Sequence, residues 1–203
     1  STQKDFLKDS NIIIWSTTPW TIPANKALAY NKSIEYSVVE ISDLENFKEK
    51  RIVIATKLLD SIVKSCGIEN FKILNTFNGA EFEGTICEHP FKTLGYNFDV
   101  PMLDARFVTL EQGTGIVHCA PSHGPDDFNL CLKHNIPSKY TVDNSGYYTA
   151  EIPLFTKTHV FKADPIVIDK LKELKKLLKN GKLQHSYPHS WRSKAPLIYR
   201  ATP

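Results

Sequence analysis

The stretch GTGIVHCAPSHGPDDF, residues 113–128, predicts a strand, a polar loop and the start of a helix in immediate succession. Residues 115–119 form a short, mostly apolar run, which is typical of a buried strand. Pro125 suits the first position of a helix, and the two aspartates after it suit the first turn, where backbone N–H groups are free. Apolar side chains then recur at helical spacing from Phe128 onward, so we expect this helix to pack on a core.

A second loop is defined by its prolines. Residues 11–15 (NIIIW) are an apolar run, which predicts a buried strand leading into the segment STTPWTIPAN at residues 16–25. Pro19 and Pro23 exclude a regular helix or a central strand through that segment. Both loops are dense in small, hydroxyl and ionisable side chains, and binding groups concentrate in loops that a rigid sheet holds in place.

The rest of the chain predicts several short strands and two further helices. The strands are expected at residues 36–41, 51–55, 71–77 and 106–110, with a hairpin turn at Asn78-Gly79. One helix is expected at residues 56–65 and another from Asp164 onward, the latter with the apolar stripe Val167, Leu171, Leu174 and Leu178. Because strands and helices do not alternate, the pattern favours an α+β fold with a β-barrel core, or a strongly curved sheet, and peripheral helices.

Composition narrows the class of protein. The 203 residues are 41% hydrophobic and 23% charged, which fits one globular domain over residues 1–203. No apolar run reaches the roughly 20 residues of a membrane span, and a net charge of +3 gives no support for DNA binding. The four cysteines form no CxxC pair, as expected for the reduced thiols of a cytoplasmic protein. We also expect the protein to be a monomer.

The residues alone allow four hypotheses about the chemistry of the site. Asp127 is suited to hold an ammonium group, or it stabilises the helix start. The hydroxyls of Thr17, Thr18 and Thr21 are suited to orient a water or an ester, or they satisfy turn backbone. His118, His123 and Asp127 are conceivable metal ligands, although their spacing matches no common zinc signature. A Cys119–His123 pair is a conceivable nucleophile and base, although Cys119 falls in an apolar strand.

Three segments resemble one known family. WSTTPWTIPANKAL at residues 15–28 resembles the threonine-rich motif of isoleucyl-tRNA synthetase editing domains, and residues 113–128 resemble the second motif of the same domain. Residues 185–203 resemble the segment that returns the chain to the catalytic Rossmann core, so residues 181–203 are expected to lead toward that core. Valyl and leucyl enzymes typically have Arg where this chain has Pro19, which favours the isoleucyl type.

The resemblance implies hydrolysis of the ester that joins valine to the terminal adenosine of isoleucine tRNA. A pocket for isoleucine rejects valine weakly, because one methylene is worth about 1–3 kcal/mol, and this pair of amino acids is the standard example of that limit. A second hydrolytic site supplies the missing discrimination. The implied partners are the tRNA 3′ end and the rest of the synthetase, without membrane or DNA.

The resemblance also assigns roles to individual residues. Asp127 matches the carboxylate that holds the α-ammonium, and His118 matches the side chain that crowds out isoleucine. Thr17 and Thr18 match the hydroxyls around the ester and the attacking water. The predicted substrate-binding set also includes Asn25, Trp20, His123 and Ser16, the last in a position where the family has threonine.

The resemblance implies no metal and no cofactor for editing, whereas the full-length enzyme would use ATP and Mg²⁺. A zinc knuckle is not expected, because Ser190 and Ser193 stand where many relatives have cysteines. Two alternatives stay open beside the editing hydrolase. One is a non-catalytic module that binds the tRNA acceptor end, and the other is the editing domain of a valyl-type synthetase.

Overall fold

The computed structural model describes residues 4–42, 44–181, 188–192, 194 and 196–202. Strands and helices within these residues give the α+β class that the sequence predicts. The strands are β1 (Asn11–Ile12), β2 (Ala27–Tyr30), β3 (Glu35–Ile41), β4 (Arg51–Ala55), β5 (Phe71–Asn78), β6 (Ile86–Glu88), β7 (Asp99–Asp104) and β8 (Val117–Cys119). The α-helices are α1 (Leu59–Cys66), α2 (Pro125–Lys133) and α3 (Ala163–Glu173). Across the described part of the chain, no helix has the length and apolar character that crossing a membrane requires.

The strands form two four-stranded sheets with the orders β1-β4-β3-β5 and β6-β7-β2-β8. The β1–β4 and β2–β7 pairs are parallel, and the other pairs are antiparallel. Each sheet is open, because its two outer strands do not pair with each other among the described residues. The closed β-barrel predicted from the sequence is therefore not confirmed.

Strand β4 is buried on both faces, which explains its continuous apolar sequence. Val53 points into a central core shared by the two sheets, where it packs with Tyr36 and Phe82. Ile52 and Ile54 point the other way, toward the apolar face of α1. This alternation follows from the two-residue period of a strand, and it places one helix on the outer face of the first sheet.

A separate core supports the loop that contains the threonines. Trp20 packs there with Tyr148 and with Val167 of α3. Helix α3 starts where Asp164 predicts it, but it ends at Glu173, because Lys175 has a positive φ of 56°. Leu174 and Leu178 of the predicted stripe therefore lie beyond the helix.

Three local predictions differ from the structure. Residues 106–110 are not a strand; they follow β7 as a turn in which Val108 is buried and Phe107 exposed. Asn78-Gly79 is not a hairpin turn, because the Asn78 carboxamide accepts the Ala80 N–H at 3.0 Å and caps a short 3₁₀-helix. The segment at residues 16–25 contains the 3₁₀-helix Pro19–Ala24, a form in which Pro23 is tolerated.

The predicted return segment at residues 181–203 is described only in part. Its residue Ala201 donates its backbone N–H to the Ser122 carbonyl at 2.9 Å, which fastens this part of the chain beside the second motif. Ser193, part of the zinc-knuckle position, lies outside the described residues. The division of the chain into one domain with a return segment stays a prediction.

Gly115 lies where the second motif touches the first sheet. Its φ is +75°, and a Cβ there would lie 2.4 Å from the Ala55 Cβ. We expect Gly115→Ala to lower the free energy of unfolding by about 3 kcal/mol, from a left-handed backbone plus a steric clash. Urea denaturation would show this as a lower midpoint with an unchanged slope.

Gly67 supplies a matched control for this prediction. Its φ is +71°, but a Cβ there would meet nothing within 4 Å. We therefore expect Gly67→Ala to cost only about 1 kcal/mol of backbone strain. Equal losses in the two variants would show that Gly115 is not tightly packed.

Candidate active site

Pairing of β2 with β8 brings the two motif loops together. The first residue of β2, Ala27, stands opposite the last residue of β8, Cys119. The loop that precedes β2 and the loop that follows β8 therefore emerge at the same end of the second sheet. The Lys26 N–H donates to the Cys119 carbonyl at 2.8 Å and extends this pairing by one step.

A cleft of about 370 Å³ lies between the two loops. Its walls contain Ser16, Thr17, Thr18 and Thr21 from the first loop, and His118, Ala120, His123 and Asp127 from the second. Further walls come from residues 112–117 and from the exposed aromatic rings Trp15 and Phe107. The structure thus places six of the eight predicted site residues around one cavity.

Hydroxyl groups line one wall of the cleft. The Thr18 N–H donates to the Ser16 Oγ at 3.1 Å, and the Thr18 Oγ1 lies 3.4 Å from the Thr21 Oγ1. The retained hydroxyl of Ser16 therefore shapes the loop through a backbone contact. Thr17 lines the same cavity. Hydroxyl groups both donate and accept hydrogen bonds, so this wall is suited to hold a water or an ester.

Trp20 and Asn25 lie behind the wall and are not among the residues that line the cleft, so their role in substrate binding stays a prediction. Trp20 is only 5% exposed, and its backbone N–H donates to the Asp164 carboxylate at 2.8 Å. Asn25 is buried, and its Oδ1 accepts the Cys119 N–H at 3.1 Å. Both residues support the loops, Trp20 by packing and Asn25 by joining one motif to the other.

His123 borders the cleft, but both of its ring nitrogens bond to protein groups. Nδ1 lies 3.0 Å from the Tyr199 carbonyl, so it donates, and Nε2 lies 2.9 Å from the Thr141 hydroxyl, so it accepts. Burial lowers the pKa of the His123 imidazole to about 4. His123 therefore ties the second motif to the return segment as a neutral ring.

The structure disfavours two alternative roles for these residues, a cysteine nucleophile and a metal site. Cys119 is fully buried, and burial raises the pKa of its thiol far above the ordinary value, so a thiolate nucleophile is disfavoured. Within the described residues, no group of three His, Cys, Asp or Glu side chains could share a metal ion. His118, His123 and Asp127 are thus not arranged as a ligand set.

Comparison with known proteins identifies the family. The family model for "Leucyl-tRNA synthetase, editing domain" matches residues 45–177, which is most of the chain. The chain belongs to this family of synthetase editing domains. The match includes the second motif, and the predicted resemblance to a synthetase editing domain is confirmed.

Full-length relatives carry the isoleucyl name. The editing domain is 64% identical over 197 residues to the isoleucine–tRNA ligase of Pelagibacter ubique (strain HTCC1062), covering 97% of this chain and 22% of that protein. It is 44% identical to the isoleucine–tRNA ligase of Haemophilus influenzae (strain PittEE), covering 94% of this chain and 19% of that protein. The chain therefore spans about a fifth of the length of these relatives.

Solved structures share the fold of this editing domain. A crystal structure described as GlLeuRS-CP1 has a TM-score of 0.67 at 12% identity and covers 86% of this chain and 85% of that chain. The editing domain of Plasmodium falciparum cytosolic leucyl-tRNA synthetase has a TM-score of 0.52 at 15% identity, covering 85% of this chain and 68% of that chain. At these identities the likeness establishes the fold alone.

The Asp127 carboxylate is the strongest electrostatic feature of the editing domain's cleft. Asp127 is the third residue of α2, and its Oδ2 accepts the Ala120 N–H at 2.8 Å. Burial nevertheless raises the pKa of this carboxyl to about 6. The backbone N–H group favours the ionised form, but the loss of hydration outweighs it.

Asp127 also lacks a cationic partner. None of the ion pairs among the described residues includes it. Gly124 leaves room beside it, since a Cβ there would lie 3.2 Å from the Asp127 carboxyl carbon. A partly buried carboxylate without a counter-ion, next to open space, is suited to bind an ammonium group.

Some cleft residues were missed as site residues in the sequence. Thr21 is outside the site residues that the resemblance predicts, although it contacts both Thr18 and His118. Phe107 and Thr109 line the cleft from the segment that was interpreted as a strand.

Proposed function

We propose that this chain hydrolyses the ester bond between valine and the terminal adenosine of isoleucine tRNA. The observation that carries the proposal is the partly buried Asp127 carboxylate, which lines a hydroxyl-rich cleft and has no cationic partner among the described residues. An aminoacyl ester presents an ammonium group a short distance from its carbonyl carbon, so one ligand matches both features. The isoleucine–tRNA ligase relatives support isoleucine tRNA as the carrier.

The reaction needs a positioned water molecule and no covalent nucleophile. Water attacks the ester carbonyl carbon and gives up a proton, the bond to the ribose oxygen breaks, and the released ribose oxygen takes up that proton to become a hydroxyl. Thr17 and Thr18 are the proposed groups that place the water and the ester, while Asp127 holds the ammonium. Placement of reactants and donors aimed at the developing oxyanion supply most of the rate enhancement in such a site.

His118 is the proposed size filter. Burial lowers the pKa of its imidazole to about 4, so the ring is neutral at pH 7 and adds no charge to compete for Asp127. A neutral ring at the cleft wall acts on the substrate by its volume. We therefore propose that it admits valine and crowds out isoleucine.

The test is hydrolysis of isoleucine tRNA carrying either valine or isoleucine by the isolated chain. We expect the valyl ester to be cleaved at least about 10-fold faster, the discrimination that one methylene allows. Loss of labelled amino acid from the tRNA, corrected for hydrolysis without protein, gives both rates. A chelator in parallel samples tests the metal-dependent alternative, and we expect it to leave the rates unchanged.

Other outcomes identify the alternatives. Binding of the tRNA without turnover would favour the non-catalytic module. Faster hydrolysis of threonyl-tRNA than of valyl-tRNA would favour a valyl-type editing domain, because threonine is the amino acid that a valine pocket fails to reject. The proposal also includes two partners, the tRNA and the rest of the synthetase. It further includes a monomeric state and a cytoplasmic location.

A further inference from the structure

Thr21 occupies the point where the two motif loops meet. It is only 7% exposed, and its Oγ1 lies 2.9 Å from the Thr18 carbonyl oxygen. The same oxygen lies 3.2 Å from the Nε2 of His118. One hydroxyl on the threonine loop therefore contacts the ring proposed as the size filter.

The hydrogen bonds of the Thr21 hydroxyl determine which ring nitrogen of His118 carries the proton. The Thr21 hydroxyl has one hydrogen, which it donates to the Thr18 carbonyl. Toward His118 it can then only accept, so Nε2 must carry a proton. Since the ring is neutral, Nδ1 is left as an unprotonated acceptor, and Nδ1 is buried without a partner among the described residues.

We propose that Thr21 is a positioning residue for editing, which holds the His118 ring in its Nε2–H tautomer and in the orientation that borders the cleft. This inference rests on the proposed function for its effect on selectivity. Without the hydroxyl, the Nε2–H would lose its acceptor inside the protein. The ring would then rotate or change tautomer, and the wall that excludes isoleucine would become less well defined.

Two substitutions separate the hydroxyl from the shape of the side chain. Thr21→Val keeps the branched shape and removes the hydroxyl, whereas Thr21→Ser keeps the hydroxyl and removes a methyl group. For Thr21→Val we expect the ratio of kcat/KM for valyl over isoleucyl tRNA to fall about 10-fold, the effect of one buried hydrogen bond. For Thr21→Ser we expect the ratio to stay within about threefold of the original.

Nitrogen-15 NMR of the His118 ring supplies a readout that a merely structural role would not move. We expect a protonated Nε2 in the unchanged chain and in Thr21→Ser, and a shift toward protonated Nδ1 in Thr21→Val. A protonated Nδ1 in the unchanged chain would overturn the proposal. Unchanged selectivity and an unchanged tautomer in Thr21→Val would also overturn it.

The two readouts keep this inference distinct from the proposed function. If the unchanged chain hydrolyses no ester, the proposed function fails, while the tautomer still decides whether Thr21 sets the His118 ring. If Thr21→Val does not fold, the tautomer of the unchanged chain and the selectivity of Thr21→Ser decide the question. A Thr21→Ser variant that folds but loses selectivity would contradict the role of the hydroxyl.

Discussion

Asp127→Asn is expected to lower kcat/KM for hydrolysis of valyl-tRNA by about 100-fold, because removing one partner of a buried charge pair costs about 3 kcal/mol. Asparagine keeps the size of the side chain and an oxygen that can accept the Ala120 N–H. It removes the charge that would neutralise the substrate ammonium. Single-turnover and steady-state hydrolysis assays would measure the loss.

Stability should respond in the opposite direction. The folded-state pKa of Asp127 is raised to about 6 from an ordinary 3.8, so its contribution to stability is present below pH 3.8 and is lost as pH rises through 6. At pH 7 the ionised group costs on the order of 2 kcal/mol. We therefore expect the melting temperature of Asp127→Asn, relative to the unchanged chain, to rise between pH 5 and pH 7.

The same carboxyl predicts the pH dependence of the reaction. The ammonium-binding form is ionised Asp127, so kcat/KM should fall as pH decreases through about 6. Asp126→Asn is the matched control, since it removes an equal charge from the neighbouring exposed position. We expect it to retain activity within about twofold. Full activity in Asp127→Asn would contradict the assigned role.

Local signals in the sequence predicted the elements that depend on local chemistry. Strand β4 lies at Arg51–Ala55 as predicted, because its apolar run is bounded by polar residues on both sides. Helix α2 begins at Pro125 as predicted, because proline fixes the backbone at a first helical position. The segment predicted as a helix at residues 56–65 is helical, but it consists of a 3₁₀ turn followed by the α-helix α1.

These local signals do not predict which strands pair with each other. Nothing in the sequence near Asn78-Gly79 shows that β5 pairs with β3 instead of with the next strand, β6. Strand β2 was not predicted as a strand, although its pairing with β8 is what builds the cleft. Open sheets and a closed barrel also have the same strand pattern along the chain, so only the pairing distinguishes them.

Burial distinguishes the motif residues that line the cleft from those that do not. The side chains of Asp127, in the first turn of α2, and of the threonines in the first motif reach the cavity. Trp20 and Asn25 belong to the same motif, but their side chains turn inward and support the loop. A sequence motif indicates that a residue is important for a site. It does not indicate whether the residue contacts the ligand or supports the wall of the cleft.

His118→Ala is expected to increase kcat/KM for hydrolysis of correctly charged isoleucyl-tRNA by about 10–100-fold, the range that one methylene in a pocket can supply. The His118 ring lines the cleft, and its Nε2 is held by Thr21. Removing the ring opens space at that wall without changing Asp127. Hydrolysis of valyl-tRNA should therefore change much less. Parallel assays with the two aminoacyl-tRNAs would give the ratio.

His118→Phe is the matched control for this prediction, because phenylalanine restores the bulk of the ring but cannot bond to Thr21. If His118 excludes isoleucine mainly by volume, the phenylalanine variant will attack isoleucyl-tRNA less than the alanine variant does, although loss of the Thr21 contact makes it less selective than the unchanged chain. Equal attack by both variants would assign the filter to the Thr21–His118 contact, because bulk alone would then be insufficient. Continued sparing by both would place the size filter at another wall of the cleft.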